Sequence, residues 1–246
     1  MKNLVHTPVT EYMTRDYLSR FHSGTADEKG CTHENALKVV NRWKNEGAFV
    51  VANAGAFDLL GLNHIRGLIQ CRVIGAMCLL GLDDIIEDKK TASHVFDVAA
   101  SNRIKLLVSI DTNKAVEDNK SRTENNGGAI KPILDWSTRA MMVASQSMPI
   151  PYSDLRRPSV DYITRHGPES CAEHGDDMCW HEDSAFSIAS ILPDLLVLKN
   201  SSEIGSTLDK YSVGVVQIDE HYDAFTDPLL DDQVSSSATI RRIRTK

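Results

Sequence analysis

The chain has 246 residues, 41% of them hydrophobic and 25% charged, with a formal net charge of −7; this is the balance of a globular protein with a sizeable core, not of a disordered one. The negative charge excludes a broad nucleic-acid-binding surface and favours small anionic ligands, held by local clusters such as Arg241, Arg242, Arg244 and Lys246. The longest apolar stretch, Val73 to Leu82, is far shorter than the roughly 20 residues that span a bilayer. No signal-peptide core follows Met1, so a cytoplasmic protein that avoids membranes is expected.

Residues 1–46 read as a helical N-terminal segment, with helix-like patterns at Tyr12 to Phe21 and Glu34 to Lys44 around a polar stretch, Ser23 to Gly30. Residues 47–246 read as one domain. Its short apolar or alternating runs, Ala48 to Ala52, Lys105 to Ile110, Asp161 to Arg165, Leu195 to Leu198 and Val213 to Ile218, suit buried strands. Helix-compatible segments lie between them: His64 to Leu82, Ile133 to Ser147, His181 to Leu192 and Ser202 to Tyr211. Strands alternating with helices predict an α/β fold, a Rossmann-like parallel sheet covered by helices on both faces. Ligands of such sheets bind beyond the carboxyl ends of the strands. Insertions are expected at about 83–102, which adds a helix, at 119–128, a polar loop, and at 166–183. The tail offers Ser235, Ser236 and Ser237 as N-caps of a basic helix.

The segment Ala52 to His64 follows the first strand and enters a helix. Its small residues Ala54, Gly55 and Ala56 allow a ligand to approach the backbone. The N–H groups and dipole at the helix start favour a phosphate. The same residues also describe a tight turn with Asp58 as a structural cap and His64 in solvent. No G-x-G-x-x-G turn or G-x-S-x-G elbow is present, which argues against a dinucleotide-dependent oxidoreductase and against an α/β-hydrolase.

This stretch resembles the G-x-F-D-x-x-H-x-G-H signature of the cytidylyltransferase-like nucleotidyltransferases, most closely the group of heptose-1-phosphate adenylyltransferases and glycerol-3-phosphate cytidylyltransferases. Gly55, Phe57, Asp58 and His64 match, Gly61 stands at the first histidine, and Asn63 replaces the second glycine. Leu106 to Asn113 resembles the second strand and its Asn-Ser-Asp end. Lys131-Pro132-Ile133 with Arg139 resembles the Arg-Pro-Ile…Arg spacing. Val160-Asp161-Tyr162 and Pro193 to Val197 resemble later strands, and Ser235 to Ala238 with Arg242-Ile243 resembles the closing serine-threonine motif.

The resemblance implies an enzyme that joins a sugar or polyol phosphate to the nucleoside monophosphate of ATP or CTP and releases pyrophosphate, with Mg2+ accompanying the triphosphate. It implies catalytic roles for His64, Arg242 and Lys131. Asn53, Ala54, Gly55, Phe57, Asp58, Gly61, Asp111, Ser235, Ser236 and Ser237 would bind the nucleotide, and Arg139 the substrate phosphate. The partners implied are small molecules and a second copy of the chain in a homodimer, not nucleic acid. Glycine at position 61 offers no donor to a phosphate, so a catalytically weak or inactive nucleotide-binding or regulatory protein is the alternative.

The five cysteines form no regular framework, and disulfides are not expected. Cys171, His174, Cys179 and His181 make a compact Cys2His2 set that suits structural Zn2+, with His166 as a substitute ligand; the other reading is a solvated polar loop.

Overall fold

The computed structural model describes residues 32–82, 88–121, 132–149, 156–167, 188–199 and 213–218. In chain order these form helix α1 (His33–Asn45), strand β1 (Phe49–Gly55), helices α2 (Leu62–Leu80) and α3 (Lys89–Ala100), strand β2 (Ile104–Asp111), and helices α4 (Asn113–Ser121) and α5 (Trp136–Ala144). Five strands follow: β3 (Ser147–Pro149), β4 (Arg156–Pro158), β5 (Tyr162–His166), β6 (Leu195–Lys199) and β7 (Gly214–Ile218).

The main sheet has the order β5-β2-β1-β6-β7 and every neighbouring pair in it is parallel. The expected Rossmann-like α/β architecture is therefore present. The strand order reverses beside β1: β2 and β5 extend the sheet on one side, β6 and β7 on the other. All five strand expectations fall on these strands, within three residues at either end. β3 and β4 form a small antiparallel ladder of their own, Ser147 opposite Pro158 and Pro149 opposite Arg156. That ladder shortens the helix expected over Ile133 to Ser147: Asp135 caps α5 at one end, its carboxylate accepting from Thr138 N, and the chain turns extended at Ser147.

Alternation along the strands splits the core in two. Val51, Leu106, Val108 and Ile110 face one layer, where α2, α3 and α5 supply Leu68, Ile74, Val95 and Ala140. Val50, Ala52, Leu107, Leu196 and Leu198 face the other, where Ala36, Val40 and Trp43 of α1 meet Ile188 and Ile191. The core stretches of β1, β2 and β6 are apolar on both faces because helix covers each face. At Gly75 the approach is closest: a Cβ there would lie 2.3 Å from Val51 Cγ2. α2 stops at Gly81, in the left-handed region at φ 67, where the N–H groups of Gly81 and Leu82 take the carbonyls of Cys78 and Met77.

The amino ends of the strands are joined by carboxylates. Asp161 and Asp194 each precede a strand and do the same thing. The backbone N–H of Asp161 donates to Leu106 O, and its Oδ2 accepts from Leu106 N, both at 2.8 Å. Asp194 repeats this pair of bonds with Val50, again at 2.8 Å. Each carboxylate also meets cations: Lys44 at 2.8 Å for Asp194, and Arg72, Arg157 and Lys105 for Asp161. Arg72 is fully buried within α2, and donates to the carbonyls of Ala99, Ser101, Ser159 and Ile104 besides Asp161. Burial lowers its pKa, and the adjacent Asp161 opposes that fall.

Helix α1 was expected over Glu34 to Lys44 and occupies His33–Asn45, capped by Thr32. The expected insertion helix is α3, whose first turn is capped by Asp88 through Lys90 N and Thr91 N. Helix α4 extends to Ser121, into the segment expected to be a polar loop. The expected helix over 12–21, the segment 202–211, and most of the insertions at 119–128 and 166–183 lie outside the described residues.

Candidate functional site

The strand order reverses between β1 and β6, and sheets of this class take their ligands at the carboxyl edge of such a reversal. These strands pair through Val51 with Leu195 and Ala52 with Leu196. One residue on, the side chain of Asn53 bridges the strands instead, its Nδ2 donating to Val197 O at 2.8 Å. Asn53 therefore sits where strands of this class part to admit a ligand.

Past Gly55 the chain bends sharply. Phe57 adopts φ 49, a left-handed conformation that costs a non-glycine residue about 1–3 kcal/mol. A Cβ on Gly55 would lie 3.2 Å from the Phe57 ring, so glycine lets that ring fold back over the strand end. Phe57 is buried and its ring centroid stands 5.6 Å from that of His64, tilted by 50°. The sequence motif thus encodes a shape: a small residue, a buried aromatic in a strained turn, and a histidine against it.

Asp58 is 5% exposed. Its Oδ1 accepts from Ile133 N at 2.8 Å and Leu134 N at 3.1 Å, while Oδ2 is buried with no hydrogen-bond partner. Asp58 has the cap-like role that the sequence offered as one reading, though the backbone it caps is 75 residues away. Arg139 closes the other side of the same clamp. Its guanidinium, fully buried, donates to Ala56 O, to Leu134 O and to Asn113 Oδ1. Burial lowers its pKa, and the carboxylates of Asp58, Asp111 and Asp135 act against that. The two residues fasten the 132–135 segment to the turn after β1. Its side chain Ile133 stands half exposed beside them.

Asp111, at the end of β2, lies opposite His166 at the end of β5, with Oδ1 3.0 Å from the His166 Nδ1. Both are buried. Thr112 N donates to His166 O, and Gly167 at φ 153 packs so tightly that a Cβ would sit 2.0 Å from Thr112 Oγ1. The indole N–H of Trp136 adds a bond to Ile110 O, and the Arg165 guanidinium lies 5.3 Å over the Trp136 ring. Sequence reading placed Asp111 at a strand end but did not pair it with His166. A signal was present, since both residues end strands that neighbour each other in a 3-2-1 half-sheet.

Helix α2 begins at this edge. Its N-cap is Gly61, which supplies no side-chain oxygen. The contrast with other helices is plain: Thr32 caps α1, Asp88 α3 and Asp135 α5, and Thr112 Oγ1 accepts from Ala115 N in α4. What α2 has instead is His64 turned backwards, its Nδ1 accepting from Gly61 N at 3.1 Å. The N–H groups of the first turn, with the helix dipole behind them, make a place suited to an anion. Gly61 itself has φ −97 and ψ 173, extended backbone open to any residue.

Of the expected site residues, the structure brings together Asn53, Ala54, Gly55, Phe57, Asp58, Gly61 and His64 around the end of β1, with Asp111 and Arg139 behind them. Lys131, Ser235, Ser236, Ser237 and Arg242 lie outside the described residues, as do the expected zinc ligands Cys171, His174, Cys179 and His181. Of the cysteines within them, Cys71 is buried and its thiol pushed up to about 12 by burial, which makes it an inert core residue as its helical setting suggests. Among the described residues no helix is long and apolar enough to cross a membrane.

The fold class is Rossmann-like α/β, with a small-residue turn and a helix start at the edge where such sheets take ligands. No protein-family model matches the chain. Over 68 residues it is 26% identical to the bifunctional protein HldE of Wolinella succinogenes, a stretch that makes up 28% of this chain and 14% of that protein. Fold and likeness together support a cytidylyltransferase-like family at most.

Proposed function

We propose that the chain binds a nucleoside triphosphate at the turn after β1 and transfers its nucleoside monophosphate to a phosphorylated small molecule, a sugar or polyol phosphate. The observation that carries this reading is the start of α2. It lies at the carboxyl edge of the central strand, carries no capping oxygen, and places His64 beside it. A helix end left open at a strand-order reversal is suited to phosphate.

In the reaction, an oxygen of the acceptor phosphate attacks the α-phosphorus in line. The new P–O bond forms as the bond to the β-phosphate oxygen breaks, and pyrophosphate leaves with the electron pair. Catalysis of this kind rests on positioned donors and cations more than on covalent chemistry. Mg2+ chelated by the triphosphate supplies positive charge to its oxygens. The first-turn N–H groups of α2 and the His64 ring donate to the α-phosphate, and Asn53 and Gly55 line the nucleotide cleft. Asp58 and Arg139 act from behind, by holding residues 132–135 against the turn. Lys131 and Arg242, with Ser235 to Ser237, complete the phosphate contacts in this reading, which places the protein in the cytoplasm.

One observation favours a second reading. Gly61 stands where the resembling signature has a histidine, and loss of one transition-state donor costs about 2.7–4 kcal/mol, or roughly 100- to 1000-fold in rate. A nucleotide-binding protein with little or no turnover is the outcome if nothing replaces that donor.

Thermal unfolding with Mg2+ and each of ATP, CTP, GTP and UTP tests binding, because a ligand of the native state raises its stability. A rise selective for ATP or CTP is expected, and it should shrink in His64→Ala. Pyrophosphate release on adding sugar and polyol phosphates then separates the two readings. Absence of any rise, with or without acceptor, would overturn both.

A further inference from the structure

The side chain of Asn53 is fixed at one end and open at the other. Its Nδ2 donates to Val197 O at 2.8 Å, one residue beyond the point where β1 and β6 pair through Ala52 and Leu196. A carbonyl oxygen can only accept, so the amide turns its nitrogen to Val197 and its oxygen away. Among the described residues no group donates to that oxygen. Asn53 is half-buried and its oxygen, unlike the enclosed Oδ2 of Asp58, remains reachable from outside. We propose that Asn53 is a specificity-determining residue, whose Oδ1 accepts a hydrogen bond from an uncharged N–H or O–H donor on the nucleoside, the base amine or a ribose hydroxyl.

The position of Asn53 relative to α2 supports this. Val51 belongs to the core layer of α2, with Leu68 and Ile74, and Val51, Asn53 and Gly55 alternate onto one face of β1. The Asn53 amide and the first turn of α2 therefore lie on the same side of the sheet, toward the same edge. Gly75 of α2 meets Val51, and the helix starts at Leu62, about 20 Å away along its axis. Asn53 stands only about 7 Å beyond Val51 along the strand. A phosphate on the first turn of α2 would thus be on the order of 10 Å from the amide, a distance for the nucleoside to cover.

The chemistry of the amide suits that place. It is uncharged, so it accepts a hydrogen bond without opposing the negative charge that a triphosphate brings to the edge, as a carboxylate would. The bond to Val197 O has already fixed the side chain, so little rotamer freedom is lost when the ligand arrives. Asn53 acts on the choice of nucleotide and not on the reacting atoms. The inference rests on the proposed function, in that a nucleoside triphosphate is taken to occupy this edge.

The test varies the ligand and the residue together, on the full chain with Mg2+. Affinities are read from the rise in unfolding temperature with ligand concentration. The probes are ATP, purine ribonucleoside triphosphate, which lacks the base amine, 2′-deoxy-ATP and 3′-deoxy-ATP, with the corresponding set for CTP. In the unsubstituted protein one of the three deletions is expected to weaken binding by roughly 2- to 10-fold, the size of a neutral hydrogen bond, and which one it is identifies the donor. In Asn53→Ala the parent nucleotide should bind more weakly and the same deletion should make no further difference. A merely structural role would lower the affinity of parent and analogues alike, and that result overturns the inference, as does equal binding of all the probes to the unsubstituted protein. Should Asn53→Ala fail to fold, Asn53→Ser, which keeps a small polar side chain on the strand, takes its place in the comparison. If no nucleotide raises the unfolding temperature of the unsubstituted protein, the nucleotide reading falls and this inference with it; if nucleotides bind and all the deletions are silent, the inference falls alone.

Discussion

The two edges of the sheet solve the same problem in opposite ways. At the amino edge each buried charge meets its counterpart: Asp161 and Asp194 satisfy the neighbouring strand's backbone, then pair with Arg72, Arg157, Lys105 and Lys44. At the carboxyl edge a buried carboxylate oxygen of Asp58 has no partner, Phe57 is held at φ 49, and α2 starts at a glycine that supplies no capping oxygen. The amino edge is organised for stability alone. The carboxyl edge holds strain and open hydrogen-bonding capacity, and both are features of sites that complete themselves with a ligand.

The largest test of this contrast is to remove one carboxylate from each edge. Asp161→Ala leaves Arg72, at 0% exposure, without its counter-ion, and should cost about 3–5 kcal/mol in urea unfolding. Asp58→Asn at the other edge keeps an acceptor for Ile133 N and Leu134 N and replaces an oxygen that has no partner. Its cost should be nearer 1 kcal/mol. Equal losses would mean that the carboxyl edge is as saturated as the amino edge, and the contrast would fail.

A smaller effect distinguishes two glycines of α2. Alanine at Gly75 would drive its Cβ against Val51, which is fully buried and has nowhere to move. Overpacking of this kind costs about 1–3 kcal/mol, more than the roughly 1 kcal/mol that a helix gains from alanine. At Gly67, two turns earlier, nothing lies within 4 Å of the added carbon, so the same substitution should stabilise by about 0.5–1 kcal/mol. Opposite signs on one helix would confirm that α2 is fitted to β1 near its end and is looser near the site; the same sign at both positions would refute it.

How much of this could be read from the chain follows from the range of the forces involved. The strands were legible because runs such as Leu106 to Val108 and Leu195 to Leu198 are apolar throughout, as a sheet covered on both faces requires. The turn after β1 was legible because its small residues and its histidine are neighbours in sequence. The clamp formed by Asp58 and Arg139 was not, since its contacts join residues 75 to 83 positions apart. Arg72 was hidden for another reason: it lies inside the apolar pattern of α2, and the charge that answers it, Asp161, is 89 residues away. A lone arginine amid Cys71, Val73 and Ile74 was nevertheless a signal that a buried carboxylate awaited it. Helix α4 went unread because its first residues, Asn113 and Lys114, resemble the end of a strand motif more than the start of a helix.

The smallest effect is the most informative about the site. Serine or aspartate at Gly61 would find an extended backbone, φ −97 and ψ 173, that either accepts without strain. Its side-chain oxygen would cap the first turn of α2 as Asp88 and Asp135 cap theirs, worth about 1 kcal/mol of added stability. The same oxygen would occupy the N–H groups proposed to receive phosphate. Gly61→Ser should therefore unfold at higher temperature than the unsubstituted protein yet gain less from added nucleotide. Gly61→Asp should lose that gain more completely, because its carboxylate also repels the phosphate at a helix end that attracts either one. If both variants became more stable and kept the full nucleotide response, the open start of α2 would be incidental, and phosphate would have to be held elsewhere along the edge.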